Sequence, residues 1–247
     1  MTYIDRSRYR ILDSISGPGL HPGEIAVYHV DGQSPVLYFW DHVNSTWRKV
    51  HKDGDVITVE NILMESGSQL FQDYLVPAFS LRQGSSAPDL ENLRDGLYMS
   101  AFNGTTTMEQ SFFSIHILHD IRNSTNPTFH VHWTHKNASP TGSVKWNIEY
   151  TYAHGYELQA YPETTILSTT ETAGAQYEHH ITNDDDMIIT DELMVDGQII
   201  GRIYRDPTDV ADTFADDAFL IGVDMHYEIG QWGTPERNQP FSYGNAV

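Results

Sequence analysis

Histidines and carboxylates alternate with apolar residues on four segments of this 247-residue chain. Residues two apart in a β-strand share a face, so the polar members of each segment lie opposite its apolar members. The polar members are His116, His130, His132, Asn147, Glu149, Asp224 and His226. If the four segments are neighbouring strands, these imidazoles and carboxylates gather on one side of a sheet.

His130 and His132 form an H-x-H pair, whose two imidazoles can bind one metal ion from a single strand. With Glu149 and His226 they would make a cupin-type ligand set for zinc, iron, nickel or copper. A cupin would also place a glutamate shortly after the pair, whereas here the next one is Glu149. We therefore expect no bound metal and no cofactor, and interpret these residues together with His116 as an architectural or subunit-contact face.

Other catalytic signatures do not occur in the sequence. It contains no G-x-S-x-G nucleophile elbow, no Walker loop, no G-x-G-x-x-G fingerprint and no H-E-x-x-H pair. It has no cysteine, which excludes disulfides, thiolate metal sites and a cysteine nucleophile. We expect a protein without enzymatic activity.

The segments that position these residues are predicted strands, which follow one another from residue 97 onward. They are separated by turn-rich stretches such as NGTT, RNSTNP, KNASPTG and VDG, with no helical period between them. This punctuation predicts an all-β fold, an antiparallel β-sandwich or jelly roll. Four alternating apolar sets form the predicted core: Phe113, Ile115 and Ile117; Phe129, Val131 and Trp133; Trp146, Ile148, Tyr150 and Tyr152; and Phe219, Ile221, Val223, Met225 and Tyr227.

The N-terminal part has a different pattern, in which short apolar runs are separated by the turn pairs Asp31-Gly32 and Asp53-Gly54. Such pairs between apolar runs favour β-hairpins, so a small β-meander is predicted here. A short helix is predicted around 66–75, ended by Pro77. The predicted organisation is a meander at 1–60, a connector at 61–95, a sandwich at 96–230 and a C-terminal extension at 231–247.

The composition is strongly acidic, with 34 Asp and Glu against 14 Lys and Arg and a formal net charge of −20. Coating nucleic acid requires clustered basic residues, so we expect no nucleic-acid partner. The apolar runs are too short to span a bilayer, and no apolar stretch follows the first residues, so we expect neither a membrane partner nor a secretory signal. The basic exception is Arg6, Arg8 and Arg10, a possible anchoring arm or three solvated arginines.

The stretch 112–133, FFSIHILHDIRNSTNPTFHVHW, followed by SVKWNIEYTYA at 143–153, resembles a set of virion proteins of tailed bacteriophages. Those proteins carry an LPHD element, an HVHW element and a V-x-W-x-x-E-Y element before a late strand similar to AFLIGVDMHYEI at 218–229. The matching residues are Leu118, His119, Asp120, His130, Val131, His132, Trp133, Val144, Trp146, Glu149 and Tyr150. Ile117-Leu118 departs from the expected Leu-Pro, and GQWGTPERNQPFSYG at 230–244 departs from the family's Gly-Ser-Arg ending.

The resemblance covers about two thirds of the chain and implies a structural virion component of the tail, fibre or head-decoration type. It implies assembly in the host cytoplasm, other virion proteins as partners, and a homo-oligomer, for which a trimer is typical of the class. Residues 23–50 are similar to a phage attachment module, which would dock the chain on the particle. Two alternatives remain open: a host-glycan-binding fibre module and a cupin-like metal-binding enzyme.

Overall fold

The computed structural model describes residues 70–183, 186–230, 233, 234 and 236–241 in full, and of residues 1–69 only the backbone of six strands. The chain divides into two compact units, Met1–Ile62 and Leu63–Val247. Within the described ranges the single helical element is a 3₁₀ turn at Ala78–Ser80. No helix of the described part is long and apolar enough to cross a membrane.

The first unit contains a four-stranded sheet in the order β1-β2-β3-β4. Its strands are β1 (Tyr9–Leu12), β2 (Ile25–Tyr28), β3 (Val36–Asp41) and β4 (Thr46–Lys49). β2, β3 and β4 form the predicted antiparallel meander, while β1 lies parallel to β2. A separate short hairpin joins β5 (Lys52–Asp53) to β6 (Val56–Ile57).

The second unit is a sandwich of two antiparallel sheets, which confirms the predicted fold class. Its strands are β7 (Phe71–Pro77), β8 (Arg82–Gln83), β9 (Asp89–Arg94), β10 (Leu97–Phe102), β11 (Glu109–His116), β12 (Thr128–Thr134), β13 (Ser143–His154), β14 (Thr165–Thr172), β15 (His180–Ile181), β16 (Gly197–Arg205) and β17 (Ala218–Glu228). The six-stranded sheet has the order β15-β12-β17-β10-β9, with β7 also paired to β17. The five-stranded sheet has the order β14-β13-β16-β11-β8.

The core lies between the two sheets and is built from alternate residues of their strands. Three of the four predicted apolar sets, those of β11, β12 and β13, are buried in it with all their members. Alternation makes this possible because every second side chain of a strand points to the same side. The remaining side chains of these strands lie on the outer faces of the sandwich.

The fourth predicted set, in β17, changes face part-way along the strand. Trp133 of β12 pairs with Leu220, while the residue before Trp133 pairs with Gly222, which leaves Ile221 as a bulged extra residue. Before the bulge the even-numbered residues of β17 enter the core, and after it the odd-numbered residues do. The predicted common face of Phe219 with the later members of the set is therefore wrong.

The segment expected to be a connector supplies strands to both sheets from residue 71 onward. β7 and β9 belong to the six-stranded sheet, and β8 pairs with β11 in the five-stranded sheet. The helix predicted around 66–75 is wrong from Phe71 onward, because β7 pairs along its length with β17. This pairing buries Val76 and packs Tyr74 against the core, so tertiary contacts override the local pattern.

A buried arginine ties the loop after β16 to the sandwich. Arg205 is fully buried, and its Nε and Nη2 donate to the two carboxylate oxygens of Asp212 at 2.8 Å each. Nη1 donates to the carbonyl oxygens of Phe102 and Asp216, at 3.0 and 2.7 Å, and Nη2 also donates to that of Phe214. All five N–H groups of the guanidinium are thus used, which compensates the cost of burying its charge.

Candidate functional site

The outer face of the six-stranded sheet gathers most of the predicted polar residues. Thr128 of β12 pairs with His226 of β17, and His130 pairs with Asp224, so these side chains share one side of the sheet. We call this surface the histidine face and define it as Phe71, Asp73, Leu75, His130, His132, His179, Ile181, Asp224 and His226. The clustering that the sequence predicted for β12 and β17 is confirmed, because these two strands are neighbours.

His132 links a carboxylate to a second imidazole at the centre of this face. Its Nε2 lies 2.9 Å from Oδ2 of Asp224, and its Nδ1 lies 3.0 Å from Nε2 of His179. An ionised carboxylate only accepts hydrogen bonds, so Nε2 of His132 is the donor to Asp224. In the neutral His132 ring Nδ1 is then the acceptor, and His179 donates from its Nε2.

Asp224 is an acidic residue inside a nearly closed environment, with an exposed fraction of 6%. One carboxylate oxygen is bound by His132, while the other, Oδ1, is buried and has no hydrogen-bond partner among the described residues. A buried carboxylate needs compensating donors, so the contact with His132 carries much of that compensation.

His130 and His226 form the second half of the histidine face. His130 is buried, and its Nδ1 lies 3.0 Å from the carbonyl oxygen of Thr182, to which it donates. The ring of His226 lies 5.4 Å from that of His130 and packs edge-on against Phe71 at 4.9 Å. Its Nδ1 lies 3.7 Å from Oδ1 of Asp73. Each aspartate of the face is therefore next to a histidine.

Burial influences the protonation of His179. Partial burial lowers the pKa of His179 below its usual value, and the neighbouring His132 and His180 lower it further. A ring with a lowered pKa is neutral at pH 7. His179 therefore adds no charge to the histidine face at that pH, and only at acidic pH does it add a positive charge beside His132.

Three predicted members of the polar cluster lie elsewhere. His116 of β11 and both Asn147 and Glu149 of β13 belong to the five-stranded sheet, and their side chains lie on its outer face, on the other side of the core. The condition for all the polar residues to gather on one side, that the four strands are neighbours, is not met, because the strands divide between two sheets. The candidate ligand set of His130, His132, Glu149 and His226 is divided in the same way and does not converge on one point.

Glu149 and His116 are each held by partners of their own. Glu149 accepts hydrogen bonds from the Thr164 hydroxyl at 2.6 Å and from Nε of Arg202 at 2.8 Å. These contacts, that of Thr164 first, lower the pKa of Glu149. His116 lies 3.1 Å from the carboxylate of Asp196. Both residues thus take part in cross-strand or loop contacts of the outer face.

The described part of the chain holds no group of three or more histidine, aspartate or glutamate side chains placed to bind one metal ion. A cleft of about 390 Å³ opens between β7 and β11, and its lining contains no carboxylate and no imidazole. The lining residues are Tyr74, Leu75, Val76, Pro77, Ser80, Arg82, Phe112, Phe113 and Ser114. This lining offers no acid–base pair of the kind that general acid–base catalysis requires.

Sequence reasoning missed a second histidine cluster at one end of β12. His180 stacks on Trp133 with ring centroids 4.4 Å apart, and both contact the carboxylate of Glu171. His135 is fully buried, and its Nε2 donates to the carbonyl oxygen of Gly174 at 3.2 Å. Two features of the sequence could have indicated this cluster. His135 follows shortly after the H-x-H pair, and residues 179 and 180 are adjacent histidines.

The predicted anchoring arm falls mainly on residues that the structure does not describe. Arg10 belongs to β1, of which only the backbone is described, and Arg6 and Arg8 lie outside the described residues.

Comparison with known proteins finds no family model and no curated protein that matches the chain.

Proposed function

We propose that this protein is a non-enzymatic structural component of a tailed-bacteriophage particle and assembles there as a homo-oligomer, with a trimer as the expected form. The histidine face forms the contact between copies. In a trimer this contact is heterologous, so the histidine face of one copy meets a different surface of the next. Other virion proteins of the capsid, neck or tail are the further partners.

The placement of the HVHW and V-x-W-x-x-E-Y residues supports an architectural role. Val131, Trp133, Trp146 and Tyr150 are buried in the core between the two sheets. Glu149 is bound by Thr164 and Arg202 on the outer face. The apolar members therefore specify packing and the acidic member specifies a surface contact, which is what a structural protein requires of such a motif.

The observation that carries the proposal is the exposure of large apolar side chains on the histidine face. Phe71 and Leu75 are each 53% exposed and Ile181 is 50% exposed, although they are large and apolar. The two aspartates of the face lie next to histidines, whereas the whole chain has a net charge of −20. A second copy of such an acidic protein is repelled least by a surface on which apolar and imidazole side chains are exposed.

The test of the particle assignment is mass spectrometry and image reconstruction of purified particles of the phage that encodes the chain. The proposal expects the sandwich in several symmetry-related copies on the particle surface. Absence of the chain from washed particles would overturn it. Stoichiometric transition metal in the purified protein would instead favour the cupin-like enzyme, and selective binding on a glycan array would favour the fibre module.

The test of the contact is a single charge placed on the histidine face. Ile181→Glu should reduce the oligomer mass measured by light scattering, because it puts an unpaired carboxylate into the contact. Val210→Glu is the matched control, since Val210 is 95% exposed and lies in the loop after β16, outside the histidine face. Equal masses for the two variants and the wild type would exclude the histidine face as the contact.

A further inference from the structure

The outer edge of the five-stranded sheet is formed by β14, a strand of eight residues. Among the described residues β14 pairs with β13 only, in a regular antiparallel register without a bulge. The N–H of Ala173 donates to the carbonyl oxygen of Gly142, so the odd-numbered residues direct their main-chain groups to β13. The residues whose N–H and C=O groups point away from β13, toward the edge of the sheet, are Ile166, Ser168, Thr170 and Thr172. All four have exposed side chains.

The other edges of the sandwich carry features that oppose pairing with another chain. β9 carries Asp89, Glu91 and Arg94, and β8 and β15 have only two residues each. β7 carries the exposed Asp73 and ends at Pro77, which has no N–H. Charges, proline and short length are the usual protections of edge strands, whereas β14 has eight residues, no proline and a single charged residue.

The one charged residue of β14 is turned away from its free edge. Glu171 accepts a hydrogen bond from Nε1 of Trp133 at 2.7 Å and lies 3.3 Å from Nδ1 of His180. Its carboxylate is therefore engaged with the interior of the sandwich. The whole protein has a net charge of −20, yet the four residues of β14 whose main-chain groups point away from β13 all have uncharged side chains.

We propose that β14 pairs antiparallel with β14 of a second copy of this chain. The matching register places Ile166 opposite Thr172 and Ser168 opposite Thr170, around a two-fold axis at Thr169. All outward main-chain groups then find partners, in about eight N–H···O hydrogen bonds, and the one charged residue of β14, Glu171, lies opposite Leu167. The carboxylate of Asp186, which accepts a hydrogen bond from the Thr169 hydroxyl at 2.6 Å, lies near the axis in each copy. The five-stranded sheets of the two copies become one continuous sheet, as in β-augmentation.

This pairing does not depend on the particle assignment or on the histidine face. A two-fold contact between identical strands is isologous, so it joins copies in pairs whatever other contacts they make. The β14 pairing combined with the trimer contact gives an assembly of six chains, and the β14 pairing alone gives a dimer. The mass of the assembly in solution therefore has to correspond to an even number of chains.

The experiment compares the full chain with Thr170→Glu and Thr170→Pro by size-exclusion chromatography with light scattering. Thr170 lies opposite Lys145 of β13, so the glutamate forms a favourable cross-strand pair in the single copy but adds repulsion between two acidic copies. The proline removes an outward N–H that the β13–β14 ladder does not use. Both variants should halve the wild-type mass, a factor of about two set by the two-fold symmetry.

Asn92→Glu is the control, because it adds the same charge at an exposed position of the already charged β9. It should leave the mass unchanged. Amide exchange supplies a second readout: the N–H groups of Ser168 and Thr170 should exchange slowly in the wild type and quickly in Thr170→Glu. A wild-type mass of one or three chains, or a mass that Thr170→Glu leaves unchanged, would overturn the pairing; a mass of three chains would leave the trimer of the proposed function standing.

Discussion

The carboxylate of Asp224 and the imidazole of His132 lie 2.9 Å apart on the histidine face, although 92 residues separate them in the chain. The contact arises because β12 and β17 are neighbours and because the register places both side chains on the outer face. It gives a nearly buried acid a donor, and His132 in turn contacts His179. Because the two side chains join β12 to β17 on the histidine face, a substitution at either position changes the stability of the sheet as well as that surface. The two properties are therefore coupled.

Replacing Asp224 tests this coupling. Asp224→Ala should lower the free energy of unfolding by about 1–3 kcal/mol, because it leaves the partly buried Nε2–H of His132 without its acceptor. Asp224→Asn keeps an acceptor oxygen and should cost less. Asp73→Asn is the control, since the Asp73 side chain is 60% exposed, and its effect should stay within about 0.5 kcal/mol. Urea unfolding measures all three, and equal effects of Asp224→Ala and Asp73→Asn would contradict the prediction.

The ion pair of Arg205 with Asp212 should be the most sensitive polar contact of the sandwich. Asp212→Ala removes the counter-charge of a fully buried guanidinium and should cost about 3–5 kcal/mol. The double replacement Arg205→Met with Asp212→Leu should cost less, because it leaves no unpaired charge. Lys136→Ala breaks a surface pair with Glu91 and should cost at most about 1 kcal/mol. Thermal unfolding of the four proteins would disprove the prediction if Asp212→Ala and Lys136→Ala behaved alike.

The buried His135 predicts a loss of stability on mild acidification. Burial lowers the pKa of His135 below its ordinary value of 6.5, so the unfolded chain binds a proton in a pH range where the folded chain does not. The unfolded state is then favoured as the pH falls below 6.5 and through the lower pKa of the folded state. His135→Gln should flatten this part of the stability profile. A profile as steep as that of the wild type, measured by urea unfolding between pH 7 and 5, would refute it.

Glu149 predicts a second, more acidic transition. Hydrogen bonds from Thr164 and Arg202 lower its pKa below the ordinary value of 4.5. Its stabilising effect is therefore present above pH 4.5 and is lost as the pH falls through the folded pKa. Glu149→Gln should reduce the pH dependence of stability below 4.5 while leaving that near pH 6 unchanged. Glu163→Gln, at an exposed position, serves as the control. Identical acid profiles for the wild type and Glu149→Gln would show that the contact is without effect.

Much of the fold was predictable because it depends on local alternation. Phe129, Val131 and Trp133 are apolar at every second position, and such a segment can bury one face only as a strand. The same reasoning identified His130 and His132 as outward-facing residues. Alternation fails where the strand is irregular: the bulge at Ile221 reverses the faces of β17, and no pattern in the sequence marks it.

The sequence by itself determined which residues of the regular strands β11, β12 and β13 face inward and which face outward, because that depends on neighbours within the strand. Only the tertiary structure decided which outward faces lie together, because strand order is set by contacts between distant parts of the chain. For this reason His130, His132 and His226 share a surface with Asp224, whereas Glu149 lies on the other sheet. The free edge of β14 became visible only in the same way, once β13 was placed beside it and no other strand of the described residues was.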